Sequence, residues 1–187
     1  PPFVGFATSC TDRAVRYVSP KFAGVQVHAE YANMTGEGKQ PNKQRYGGVG
    51  VSYANGPFYA AIAAETIRQA ADVAAEDPQI YSLAANYDFG VAKVFGGYQY
   101  AKDSAWGGEK LNAGTLGVSA PVAGGTLMAS VAYAKGDNDR KLTTGAIGYK
   151  YSLSKRTYVY TDLAYAEDKT TDKTKTTEFN LGICHSF

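Results

Sequence analysis

The chain has 187 residues, of which 44% are hydrophobic, 13% aromatic and only 19% charged, with 15 Tyr and 21 Gly. That aromatic content excludes a disordered chain. A net charge of +2 without any lysine or arginine cluster excludes a nucleic-acid binder of the usual basic kind. No apolar run approaches the ~18 residues of a membrane helix. A membrane-spanning sheet stays open, because alternating strands hide from averaged hydropathy. Two cysteines, Cys10 and Cys184, are too few for a disulfide scaffold and lack zinc spacing.

Residues 1–12 show no period and read as loop. From Arg13 to Ser19 the chain alternates, with Val15 and Tyr17 opposite Arg16. Pro20–Gly24 reads as a turn. Val25–Ala32 alternates cleanly, with Val25, Val27, Ala29 and Tyr31 against Gln26, His28 and Glu30. Residues 33–43 are polar and loop-like. Gln44–Ala54 reads as a strand and Asn55-Gly56-Pro57 as a tight turn with Asn-Gly at positive φ. Phe58–Thr66 reads as the next strand, although Ala60–Asp77 is rich in Ala and Glu and would suit an isolated helix. Residues 68–78 are loop.

Gln79–Asp88 and Val91–Lys102 read as a hairpin about Phe89-Gly90. Leu111–Ala120 and Thr126–Lys135 make another about residues 121–125, and Lys141–Tyr151 and Thr157–Ala166 a third about residues 152–156. Residues 103–110, 136–140 and 167–176 are polar loops. Thr177–Phe187 alternates to its aromatic last residue, with Phe179, Leu181, Ile183, His185 and Phe187 on one face. Asn180, Gly182, Cys184 and Ser186 lie on the other.

The count is about eleven strands, joined alternately by short turns and longer polar loops, as in a transmembrane antiparallel β-barrel. Tyr53, Phe58, Tyr87, Phe89, Tyr149, Tyr151 and Tyr158 fall near strand ends, where an interfacial aromatic girdle belongs. The small or polar phase of each strand then faces water. It carries Arg16, His28, Glu30, Glu65, Asp88, Lys93, Lys150 and Asp162, with Arg16 and Lys150 expected to form a basic ladder that steers anions.

Several stretches together resemble the general trimeric porins of Gram-negative bacteria, in their beta-proteobacterial form. They are RAVRYVSPKFAG at 13–24, IYSLAANYDFGVAK at 80–93, GVSAPVAGG at 117–125, YSLSKRT at 151–157 and GICHSF at 182–187. The resemblance implies a sixteen-stranded barrel with a constriction loop and a homotrimeric assembly. Residues 1–187 would be one incomplete porin domain holding about eleven strands, with 1–12 the remnant of the constriction loop. Eleven strands with an open edge leave backbone groups unsatisfied in lipid, so the rest of the barrel is expected from a companion fragment or from sequence beyond these residues. Cys184 departs from the family, which usually places an arginine there facing the pore.

The same resemblance implies partners. These are membrane lipid and lipopolysaccharide, the barrel-assembly machinery that reads Phe179, Leu181, Ile183, His185 and Phe187 as a C-terminal signal, and small hydrophilic solutes and ions as cargo. No cofactor, metal or catalytic group is expected. His28 and His185 have no carboxylate and serine at triad spacing, and His28 with Glu30 lacks further metal ligands. Two alternatives remain. One is another outer-membrane barrel, such as a translocator or adhesin domain; the other is a soluble β-sandwich or calyx.

Overall fold

The computed structural model describes residues 14–35, 43–68, 77–104, 108–137, 139–169 and 173–186. They form β1 (Ala14–Val18), β2 (Val25–Thr35), β3 (Lys43–Asn55), β4 (Phe58–Arg68), β5 (Gln79–Asp88) and β6 (Lys93–Ser104). Five more follow: β7 (Gly108–Val122), β8 (Gly125–Gly136), β9 (Lys141–Ser152), β10 (Thr157–Asp168) and β11 (Thr174–His185). All eleven lie in one sheet in sequence order, each antiparallel to the next, and among the described residues β1 and β11 have a neighbour on one side only. The expected remnant loop at 1–12 and the terminal Phe187 lie outside the described residues.

The turns are tighter than the sequence suggests. Residues 121–125 reduce to Ala123-Gly124, both at positive φ (48° and 78°), which a two-residue turn of the primed kind requires. Pro121 therefore sits inside β7. It is tolerated because β6 begins at Lys93, opposite Ser119, so β6 has no residue paired with Pro121. At the β3–β4 hairpin Gly56 (φ 54°) and Pro57 are the central residues and Asn55 pairs with Phe58, so the positive φ belongs to Gly56, not to Asn55.

Gly24 is the most constrained turn position. It has φ 83°, its carbonyl accepts from Ala54 N–H at 2.9 Å, and a Cβ there would collide with the Ala54 carbonyl oxygen. Gly56 is also at positive φ but has open space around its missing Cβ. Gly24→Ala should therefore cost about 1–3 kcal/mol, from backbone strain plus the clash, and Gly56→Ala only the strain. Urea midpoints of the two folded variants check this.

The Ala- and Glu-rich stretch is strand through Arg68. Its backbone is paired on both sides, by β3 and β5, and that ladder outweighs local helix propensity. Several strands also run past their apolar pattern, as at Asn33–Thr35, Glu167–Asp168 and Thr174–Thr176, because ladder pairing continues where the side chains become polar.

Period two divides the sheet into two unlike faces. Among the described residues the buried side chains, those of Glu30, Ala32, Tyr46, Ser52, Ala61, Ala63, Glu65, Ala84 and Ala101, all share one face. Burial confined to one face marks that face as the inner, concave side of a curled sheet. The convex face carries Val49, Val51, Ile62, Leu83, Leu116, Val131, Ile147, Leu163, Phe179 and Leu181, each largely open to the surroundings. On it, Tyr53, Phe58, Tyr87 and Tyr151 line the turn end, and Tyr31, Tyr81, Tyr133 and Tyr165 lie toward the loop end. Tyr81 and Tyr87 are about 20 Å apart along β5 at ~3.3 Å per residue. Tyr158 departs from the expected girdle. It pairs with Ser152 and Cys184 and so belongs to the concave face.

Candidate pore wall

The concave face collects the residues that bear charge in the sheet's interior. Arg16, Glu30, Gly48, Glu65 and Ile80 form one cross-strand row, so they share a face by direct pairing. His28, Asp88, Lys93, Lys150, Asp162 and Cys184 fall on the same face by their registers. All nine residues expected to face the lumen are thus on one side of the sheet. They do not form one cluster but three groups along its arc.

The first group spans β1–β4. Arg16 Nη2 and Nε both lie 2.6 Å from Glu30 Oε2. The guanidinium is well exposed (60%) while the Glu30 side chain is nearly covered (3%), so the cation caps the carboxylate from the open side. Gly48, between Glu30 and Glu65, leaves room for both acids over it, with Tyr46 fully buried beside them. His28 Nε2 lies 3.1 Å from Ser52 Oγ.

The second group closes the β5–β6 turn. Gly90 N–H donates to Asp88 Oδ1 at 2.9 Å, and Lys93 Nζ lies 3.3 Å from Asp88 Oδ2. This geometry holds the turn together, and about half of each side chain faces solvent. The third group lies on β9–β11. Lys150 Nζ sits 3.9 Å above the Tyr158 ring, a cation–π contact. Asp162 pairs in register with Gly148 and Asn180, and its Oδ2 is buried with no hydrogen-bond partner among the described residues. Cys184, opposite Tyr158, is a free thiol.

The electrostatics differ from a basic ladder. Arg16 and Lys93 each spend their charge on a carboxylate, and Lys150 is spread over an aromatic ring. Against these three cations, among the described residues, the same face carries Glu30, Glu65, Asp88, Asp162, Asp168 and Glu178. Asp168 and Glu178 are additions to the expected set. Asp168 lies where the polar composition reads as loop; Glu178 is on the water-facing phase of the last strand, a signal that alternation alone supplies. Tyr160 and Phe95 also belong to this face and lie over Gly182 and Gly117 of the adjoining strands.

The convex face is different in kind. Phe179, Leu181 and Ile183 lie on it, 67–75% exposed, and so does His185, whose Nδ1 is 2.8 Å from Thr157 Oγ1. One face thus suits hydrocarbon and the other water.

Comparison with known proteins agrees with this partition. The profile of the Gram-negative porin family matches residues 3–171. The chain is similar to outer membrane porin protein 32 of Delftia acidovorans, at 34% identity over 90% of this chain and 53% of that protein. It is similar to an outer membrane porin protein of Bordetella pertussis, at 25% identity over 94% of this chain and 57% of that protein. Among solved structures it superposes on the anion-selective porin from Comamonas acidovorans with a TM-score of 0.80 and 31% identity, covering 95% of this chain and 60% of that one. Outer-membrane OmpT of Vibrio cholerae shares the fold, with a TM-score of 0.72 at 18% identity over 94% of this chain and 65% of that one. The chain spans just over half the length of these sequence relatives. With a profile match over most of its residues and a barrel relative at 31% identity, the chain belongs to the Gram-negative porin family.

Proposed function

We propose that the protein containing this chain forms a water-filled channel across the outer membrane and passes ions and small hydrophilic solutes by passive diffusion. The observation that carries this is the division of one continuous sheet into a charged concave face and an apolar, aromatic-edged convex face. A soluble sandwich or calyx would cover its apolar face with a second layer, and here Val49, Ile62, Leu116 and Leu181 are uncovered in the chain. Diffusion down a gradient needs no catalytic group, and the reading assigns none.

In this reading β1 and β11 are not edges in the membrane. Both continue into further strands of a closed barrel, since an open edge cannot satisfy its N–H and C=O groups in lipid. The family resemblance extends the reading to a sixteen-stranded barrel, a homotrimer, and insertion by the barrel-assembly machinery through the last strand. It also makes lipopolysaccharide a neighbour in the membrane.

Planar-bilayer recording of the full-length protein tests the proposal. Purified protein should open stepwise, ohmic conductances, and the reversal potential under a salt gradient reports which ion passes more readily. The acid-rich concave face of these strands favours cations, so a strong anion preference would have to arise from residues outside these strands. A protein that inserts into the bilayer and never conducts would sink the channel reading.

A further inference from the structure

On β1–β6 the cations of the concave face each meet a carboxylate, Arg16 with Glu30 and Lys93 with Asp88. On β9–β11 the arrangement is different. Lys150, Tyr160 and Gly182 form one cross-strand row, and Gly148, Asp162 and Asn180 form the next row of that face toward the loop end. Gly182 has no side chain, and the Tyr160 ring uses the space: a Cβ at Gly182 would meet Tyr160 Cζ, Cε1 and the hydroxyl at 2.5–2.6 Å. The ring is thus laid against the β11 backbone, and 38% of Tyr160 stays open. Tyr158 stands beside it, with ring centroids 6.2 Å apart and planes tilted by 50°.

Polar groups flank this ring and have bonding capacity left. Lys150 holds its ammonium 3.9 Å from the Tyr158 ring centroid, and among the described residues it makes no ion pair with Asp162. Asp162 Oδ2 is covered and has no hydrogen-bond partner among the described residues, so a donor brought to this carboxylate relieves a cost already present. Asn180 Nδ2 donates to Glu178 Oε1 at 3.1 Å, which leaves the Asn180 carbonyl and the other Glu178 oxygen to accept. Asp162 is two residues from Tyr160, about 7 Å along β10 at ~3.3 Å per residue. Gly148 between Met128 and Asp162 keeps the wall shallow there.

We propose that this patch is a subsite for a neutral pyranose sugar passing along the wall. A pyranose carries C–H groups on its flat faces and hydroxyls around its rim. One face stacks on the Tyr160 ring. The rim hydroxyls donate to Asp162, Glu178 and Asn180 Oδ1 and accept from Lys150. The site rests on the reading that the concave face lines a water-filled channel. Charge selects the neutral solute. An anion drawn to Lys150 is repelled by Asp162 and Glu178, and an organic cation finds the Tyr158 ring already taken by an ammonium.

The test is saturation-transfer NMR on full-length protein in a detergent without a sugar headgroup. Methyl β-D-glucopyranoside is the probe, and sorbitol, an acyclic polyol with no flat face, is the control. Transfer to the glucoside ring protons should be strong and saturable, and transfer to sorbitol weak. Tyr160→Leu should weaken glucoside binding about tenfold, near the loss of one stacking contact. Tyr160→Phe, which keeps the ring, should bind nearly as the unaltered protein does. Ser82→Ala, on the same face of β5, should leave binding unchanged. Equal transfer to glucoside and sorbitol would overturn the proposal, whether or not any variant folds. So would a conducting Tyr160→Leu protein that binds the glucoside as before, or displacement of the glucoside by tetramethylammonium chloride, which would mark an organic-cation site. Conductance of the same sample keeps the two readings apart: a conducting protein without glucoside preference sinks this inference alone.

Discussion

Arginine in place of Ile62 should destabilise the folded membrane form of the full-length protein by about 2–4 kcal/mol. Ile62 lies on the convex face between Val51 and Leu83 and is 56% exposed. If that face meets hydrocarbon, the guanidinium loses its water there, at a cost of about 2–4 kcal/mol near the bilayer midplane. That is a large share of a whole-protein stability of roughly 5–15 kcal/mol, so the unfolding midpoint should shift clearly. The paired control is Gln99→Arg, on the concave face of β6. The same charge placed there stays in water and should be accepted with a loss within about 0.5 kcal/mol. Urea unfolding from lipid vesicles measures both. Equal losses from the two substitutions would remove the distinction between the faces.

The second large effect should appear in ion selectivity, at the Arg16–Glu30 pair. The cation is exposed and the carboxylate behind it is covered, so the two substitutions act in opposite directions. Glu30→Gln removes the acid's charge and should move the reversal potential toward anions. Arg16→Ala removes the exposed positive charge and should move it toward cations. Screening is incomplete within the ~10 Å Debye length at 0.1 M salt, so ions passing close to the wall feel either change. Arg16→Ala should also destabilise by roughly 1.5–3 kcal/mol, since Glu30 loses a charged hydrogen-bond partner from a buried position. The double variant Arg16→Ala/Glu30→Gln should return close to the original reversal potential and recover part of the stability, because both charges leave together. Three variants with the reversal potential of the unaltered protein would remove this pair from the pore.

Strand phase was readable from the residues because antiparallel strands joined by tight turns carry period two without slippage. Val25, Val27, Ala29 and Tyr31 give the convex phase of β2 unaided, and the pairing then carries it to Ile62 and Leu83. That is why Arg16, Lys150 and Cys184, far apart in the chain, share a face. Strand ends were poorly readable. A ladder continues for as long as backbones pair, so polar runs such as Thr174–Thr176 look like loop and pair as strand. Tyr158 shows the related error, since nearness to a strand end does not decide its face and its register with Cys184 does.

Charge pairing was the least legible part. Arg16 and Glu30 are separated by 14 residues, and their contact depends on the register across the Pro20–Gly24 turn. Read singly, Arg16 is an exposed base; in the sheet it caps a buried acid. The basic residues that face one another at the loop end of the sheet were hidden for the same reason. Lys102, Lys110, Lys135 and Lys141 fall at or beyond the expected strand ends, and only the pairing sets them opposite one another.

The most direct test of the two-faced sheet is thiol accessibility along β5 of the full-length protein in lipid vesicles. The background carries Cys10→Ser and Cys184→Ser, and the variants are Ser82→Cys, Leu83→Cys, Asn86→Cys and Tyr87→Cys. Ser82 and Asn86 lie on the concave face and Leu83 and Tyr87 on the convex one. A membrane-impermeant, charged thiol reagent should label Ser82→Cys and Asn86→Cys and alter the conductance of each. It should leave Leu83→Cys and Tyr87→Cys unlabelled. Labelling at all four positions, or at Leu83→Cys and Tyr87→Cys alone, would contradict a sheet that faces water on one side and lipid on the other.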